Sequence, residues 1–153
     1  MTEPMSGLLF ERKPSPVLAE HRPLYKIGQV LLILHLASRA GRSRLVRLHL
    51  FNWALKSVDR QKLLIHASTA KELKVSAWGF DPALAIAVRF AIAEGLVREE
   101  SPGYEITDEG VSFAKEILKD PELFSTDAAF LHQVGKGITE AMVDAVANGW
   151  EAQ

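Results

Sequence analysis

The 153 residues contain no cysteine. That excludes disulfides, thiolate metal ligands and cysteine nucleophiles together, and it accords with an expected cytoplasmic setting. Long apolar runs are also missing. None reaches the roughly 18 residues that a membrane-spanning helix needs, so no membrane partner is expected. Residues 1–22 lack the basic start and apolar block of a signal peptide. Their prolines, Pro4, Pro14 and Pro16, make them read as an extended N-terminal arm.

Catalytic signatures are scarce too. The five histidines, His21, His35, His49, His66 and His132, include no pair at metal-ligand spacing. His35 lies inside an apolar helical pattern and reads as a hydrogen-bonded core histidine. Gly135-Lys136-Gly137 lacks the frame and the preceding strand of a phosphate loop, and no G-x-S-x-G elbow occurs. The adjacent carboxylates Glu99-Glu100 and Asp108-Glu109 sit in polar stretches that would leave them solvated. The expectation is a chain that is not an enzyme, with no catalytic residues, no metal and no cofactor.

What is present is a core-forming composition with a split charge. Hydrophobic residues make up 48% and charged residues 24%, which supports a folded domain rather than disorder. The net charge is −1, yet residues 1–60 carry ten Lys/Arg against four Asp/Glu, and residues 61–153 carry eight against fifteen. A basic front and an acidic back suit oppositely charged partners.

Periodicity and capping signals place the elements. Residues 24–39 read as a helix that is apolar all round and therefore buried on most of its surface, with Pro23 in its first turn. Ser43 is a candidate N-cap for a helix over 44–57. Residues 59–73 read as a weaker helix, breakable near Ser68-Thr69, and 75–80 as a short strand or connector. Asp81-Pro82 is a strong start signal for a helix that runs to Glu94 and stops at Gly95. Two short strands follow, 96–98 and 104–107, with Ser101-Pro102-Gly103 between them, then a helix over 108–118. Residues 126–150 read as one helix or two, weakest at Gly135 and Gly137. The expected fold is mainly α with a small β-hairpin. A winged-helix-like domain would occupy 23–118, and a C-terminal helical segment, 119–153, would pack on it or on a partner.

Two kinds of candidate site emerge. Arg39, Arg42, Arg44 and Arg47 form a basic cluster around the turn before the second helix. A helix N-terminus there would suit a phosphate or a carboxylate, so DNA or an acidic protein surface is a candidate contact. The second helix has two apolar stripes, Val46/Leu50/Trp53 and Leu48/Phe51/Leu55. Either it lies between two packed layers, or it meets the core on one side and another chain on the other. The helix before the hairpin adds Leu84, Val88 and Phe90 as interface candidates. A winged-helix DNA reader needs donors on that helix, and it offers Arg89 and little else. From Glu94 to Glu109 the hairpin region carries six carboxylates and one arginine, which opposes a phosphate backbone. DNA, if touched, would be touched through the arginine turn.

The stretches RPLYKIGQVLLILHLASRAGRSRLVRLHLFNWAL, FDPALAIAVRFAIAEGLV and YEITDEGVSFAKEIL resemble the middle-component proteins of bacterial ABC-three-component systems, those of Lamassu-type antiphage defence in particular. The resemblance covers roughly residues 22 to 145 and is sharpest around Asn52-Trp53 and from Phe80 to Gly110. It implies a non-catalytic adaptor partnered by an SMC/Rad50-like ABC ATPase subunit and by a nuclease-type effector subunit, with any non-specific DNA contact made through the complex. The alternative is a winged-helix DNA-binding transcription regulator.

Overall fold

Pro23 opens α1 (Pro23–Leu36), the first element of residues 23–151, which the computed structural model describes. The expected N-terminal arm, 1–22, lies outside the described residues. Ile27, Val30, Leu31, Leu32, Ile33 and Leu34 are all at most 2% exposed, so α1 is buried on nearly every side. It is the central helix, touching α2, α4, α5 and α6. It stops three residues earlier than its apolar pattern predicts. The Ser38 hydroxyl donates to the Ile33 carbonyl at 2.8 Å, and a short 3-10 turn at Arg39–Gly41 follows, with Ala40 at φ 56° and Gly41 at φ 69°.

Arg42–Ser43 then forms β1. Ser43 is therefore a strand residue and not the expected N-cap. Its hydroxyl donates to the Arg44 carbonyl, and Arg44 is the cap of α2 (Leu45–Leu55). Ser57 caps α3 (Val58–Ala70). The break anticipated near Ser68-Thr69 does not occur. The Ser68 hydroxyl satisfies the Ile65 carbonyl at 2.6 Å within the helix, and α3 ends on Lys71 in the left-handed conformation, φ 62°.

Residues 71–81 carry no regular structure but are pinned at both faces. Trp78 Nε1 donates to the Val46 carbonyl at 3.1 Å, and Trp150 Nε1 to the Ser76 carbonyl at 2.7 Å, with the two indoles edge to face at 4.8 Å. Asp81 caps α4 (Pro82–Ala93), accepting the Ala83 N–H at 3.0 Å, and Gly95 takes φ 77° just after the helix. The hairpin is β2 (Val97–Glu100) and β3 (Gly103–Ile106). The sheet is antiparallel in the order β1-β3-β2, with Arg42 opposite Glu105 and Val97 opposite Ile106. Thr107 caps α5 (Asp108–Leu118) by accepting the Gly110 N–H, a contact worth about 1 kcal/mol.

The C-terminal segment resolves into two helices, α6 (Ser125–Val134) and α7 (Glu140–Glu151), divided at the two glycines. α6 packs on α1 and α3, and α7 packs on α2. Tyr25 stacks on Phe124 at 4.6 Å, and Tyr25 and Gln29 both donate to the Asp127 carboxylate. The whole is mainly helical with one small antiparallel sheet, and α4 directly precedes the β2–β3 hairpin. Among the described residues no helix is long and apolar enough to cross a membrane.

Candidate interaction surface

The four arginines of the basic turn are not all on the surface. Arg47 points inward and is 2% exposed. It donates from Nε to the Ile138 carbonyl at 2.8 Å, from Nη1 to Ser38 Oγ at 2.8 Å and from Nη2 to the Ala37 carbonyl, while its guanidinium lies 4.8 Å from the Phe51 ring centre. Burial pulls its pKa down to about 10, opposed by the Glu140 carboxylate, so it stays charged at neutral pH. Arg44 is exposed but pairs with Asp144 at 3.3 Å. Its backbone N–H donates to Glu140 Oε2 at 2.9 Å. The helix N-terminus that invited a phosphate or a carboxylate thus holds the chain's own carboxylate. Arg42 lies 3.6 Å from Glu105 across the sheet. Of the four, Arg39 alone is exposed without an ion pair among the described residues.

The two stripes of α2 resolve as the layered alternative. Leu48, Leu50 and Phe51 are fully buried, Val46, Trp53 and Leu55 partly so. Of the polar residues between the stripes, His49, Asn52 and Arg47 are buried, and Arg44 and Lys56 are exposed. Leu48, Leu50 and Phe51 thus belong to the interior, while Val46, Trp53 and Leu55 keep part of their surface exposed. Leu84 and Val88 are likewise turned onto α1, at 1% and 2% exposure. Phe90, on the opposite side of α4, is 52% exposed.

What the sequence reading missed is which side of α4 faces out. Five large hydrophobic residues are exposed among those described, and three belong here: Phe80 at 66%, Ile86 at 46% and Phe90 at 52%. Ile86 and Phe90 stand one turn apart, and with Arg89 and Ala93 they line a shallow depression of about 290 Å³. Helical spacing from the inward set Leu84, Ala87, Val88 and Ala91 would have separated Phe90 from Leu84 and Val88.

A polar clamp sets this face in place. Lys26 of α1 donates to Asn52 of α2 at 2.8 Å, Asn52 to Asp81 at 3.1 Å, and Lys56 to Asp81 at 3.0 Å. The Asp81 N–H donates to His49 Nδ1 at 3.2 Å, and the His49 ring meets Phe80 edge to face at 4.5 Å. Burial lowers the His49 pKa despite the opposing Asp81 charge, which keeps Nδ1 free to accept. For Asp81, burial raises the pKa, but hydrogen bonds from Lys56, Asn52 and the Ala83 N–H, with the Lys56 charge, bring it down to about 2.

A folded-state pKa below the ordinary value means that Asp81 stabilises the fold above pH 4 and loses that contribution as the pH falls toward 2. Asp81→Ala is expected to cost about 1–2 kcal/mol at pH 6. The gap to the parent should shrink steadily between pH 4 and 2 in urea titrations. A gap that stays constant over that range would contradict the assignment.

His35 is half-buried rather than a core residue. Burial and the charges of Lys115 and His132 lower its pKa. Among the described residues no group of three or more His, Asp or Glu is arranged to hold a metal ion. Compared with protein-family models, curated proteins and solved structures, the chain shows no significant match to any of them.

Proposed function

We propose that this chain is a non-catalytic winged-helix adaptor that joins an SMC/Rad50-like ABC ATPase to an effector subunit in an antiviral defence complex. The partner identities rest on the sequence resemblance. The observation that carries the adaptor reading is the outward face of α4. In the recognition-helix position it presents Ile86, Phe90 and Ala93 with the single cation Arg89. A base-reading helix needs several donors there, and an apolar face beside acidic strands has none to spare. The arginines that kept a DNA contact open are mostly occupied by the chain's own carboxylates and carbonyls.

Co-expression with an SMC/Rad50-like ATPase and an effector subunit, sought among the products of neighbouring genes, should yield a stable stoichiometric complex by size exclusion. The isolated chain should give a flat isotherm with a ~20-bp duplex even at ~50 mM salt. The competing reading, a transcription regulator, requires tight, salt-sensitive binding that weakens in Arg39→Ala, Arg42→Ala and Arg44→Ala. That result, with no complex formed, would replace the adaptor reading. Arg47 is unsuitable for this test, because its loss would destabilise the fold.

A further inference from the structure

Glu94 is placed where helix physics disfavours it. It is exposed at the C-terminal end of α4, where the helix dipole is negative and a cation is the favourable residue. The hairpin beyond it adds Glu99 and Glu100, both exposed. Arg98 is shared between Glu105 at 3.2 Å and Glu100 at 3.9 Å, and Arg42 also turns to Glu105. Glu94 and Glu99 have no cation within ion-pair reach among the described residues. Asp108 and Glu109 are accounted for by the α5 N-terminus, which they favour. Glu94 and Glu99 have no such role inside the fold.

The same helix is apolar toward its other end. Ile86, Phe90 and Ala93 expose a strip that runs about 10 Å along α4 at 1.5 Å per residue, and Phe80 is exposed just before the helix starts. Its steps of three and four residues are those of a helix-in-groove contact. The surface is therefore ordered: apolar from Phe80 to Phe90, acidic from Glu94 to Glu100.

From this order we infer that the occupant is an amphipathic helix of a partner protein, with an apolar stripe over Phe80–Phe90 and Lys/Arg residues over Glu94–Glu100. A nucleic acid is disfavoured because its phosphates would meet the same carboxylates. A second copy is disfavoured because an isologous contact brings the same patch to both sides, and the patch holds only Arg89 and the already paired Arg98 to set against its carboxylates. Electrostatic complementarity sets orientation and on-rate, while the two exposed anchors supply most of the affinity. The inference rests on the adaptor reading and names the chemistry of one partner segment.

The test uses the full chain and two labelled peptides of about 18 residues, five helical turns. Both carry a leucine stripe; one ends in Lys/Arg and the other in Glu. Fluorescence anisotropy should show the basic peptide binding at least about tenfold more tightly than the acidic one. Phe90→Asp and Ile86→Asp should each weaken it by about tenfold or more. Both side chains are exposed, so unchanged thermal melts will show that these variants fold. The double variant Glu94→Lys, Glu99→Lys should weaken binding several-fold at low salt, an effect that fades by ~0.5 M.

Equal binding of the two peptides, no binding of either, or indifference to Phe90→Asp overturns the inference. So does displacement of the peptide by duplex DNA. Self-association in sedimentation runs that Phe90→Asp abolishes would assign the face to a second copy and overturn it as well. Failure here is separable from failure of the adaptor reading. A complex with the ATPase that survives Phe90→Asp, with no peptide binding, removes only this inference. Peptide binding without any ATPase complex removes only the adaptor assignment.

Discussion

Arg47→Ala is expected to lose about 3–5 kcal/mol of stability, the largest effect of any single arginine change in this chain. The guanidinium joins three segments distant in sequence. It binds the Ala37 carbonyl and Ser38 Oγ at the end of α1, and the Ile138 carbonyl between α6 and α7. Removing it leaves those acceptors in an interior that water does not reach, at about 1–3 kcal/mol for each one left unsatisfied. Relaxation and water entry recover part of that sum, which is why the expected total lies well below the maximum. Arg47→Lys keeps the charge but replaces a planar fork with a single ammonium, so it should fall between the parent and Arg47→Ala. Arg39→Ala, at an exposed position without an ion pair among the described residues, should change stability by less than about 0.5 kcal/mol. Urea titrations of the three variants decide the matter. Near-equal losses for Arg39→Ala and Arg47→Ala would show that Arg47 does not hold these segments together.

That contrast also marks where sequence reasoning reaches its limit. The part of the fold from Asp81 to Leu118 was legible because its signals are local. Asp81-Pro82 starts α4, Gly95 ends it with a positive φ, and Thr107 caps α5 three residues before Gly110. The two-residue strand β1 was not legible, since Arg42 and Ser43 become a strand only by pairing with Glu105 and Tyr104. The arginines failed for the same reason. Their partners, Ile138, Glu140 and Asp144, lie 91 to 100 positions away, and nothing around Arg44 or Arg47 announces them. The continuity of α3 through Ser68 depends on an internal hydrogen bond and on the close approach of Gly137, again a distant residue. For the candidate surface, the apolar character of α4 was plain in the sequence. Its outward side was not, because the choice is made by α1 packing on Leu84 and Val88, which leaves Phe90 on the opposite side.

A substitution whose sign reverses between sequence and structure provides the sharpest check on the placement of the hairpin. Glycine inside a helix ordinarily costs up to about 1 kcal/mol relative to alanine, so Gly110→Ala in α5 would be expected to stabilise on propensity alone. Here a Cβ at Gly110 would stand 2.1 Å from the Leu96 carbonyl oxygen and 2.6 Å from Ile106 Cγ1. The oxygen is backbone, at the junction of α4 and β2, and it already accepts the Thr107 N–H at 3.0 Å. It cannot rotate away as a side chain would. Either α5 or the junction must move by more than an ångström, and the Thr107 cap and the β2–β3 hairpin move with it. The expected net loss is about 2–4 kcal/mol, larger than the propensity gain. Gly149 is exposed in α7, and a Cβ there would meet no neighbour within 4 Å. Gly149→Ala should therefore gain up to about 1 kcal/mol. Thermal melts of the two variants should move in opposite directions. A Gly110→Ala protein at least as stable as its parent would mean that α5 does not press against Leu96. The hairpin would then not be anchored through α5 to its junction with α4.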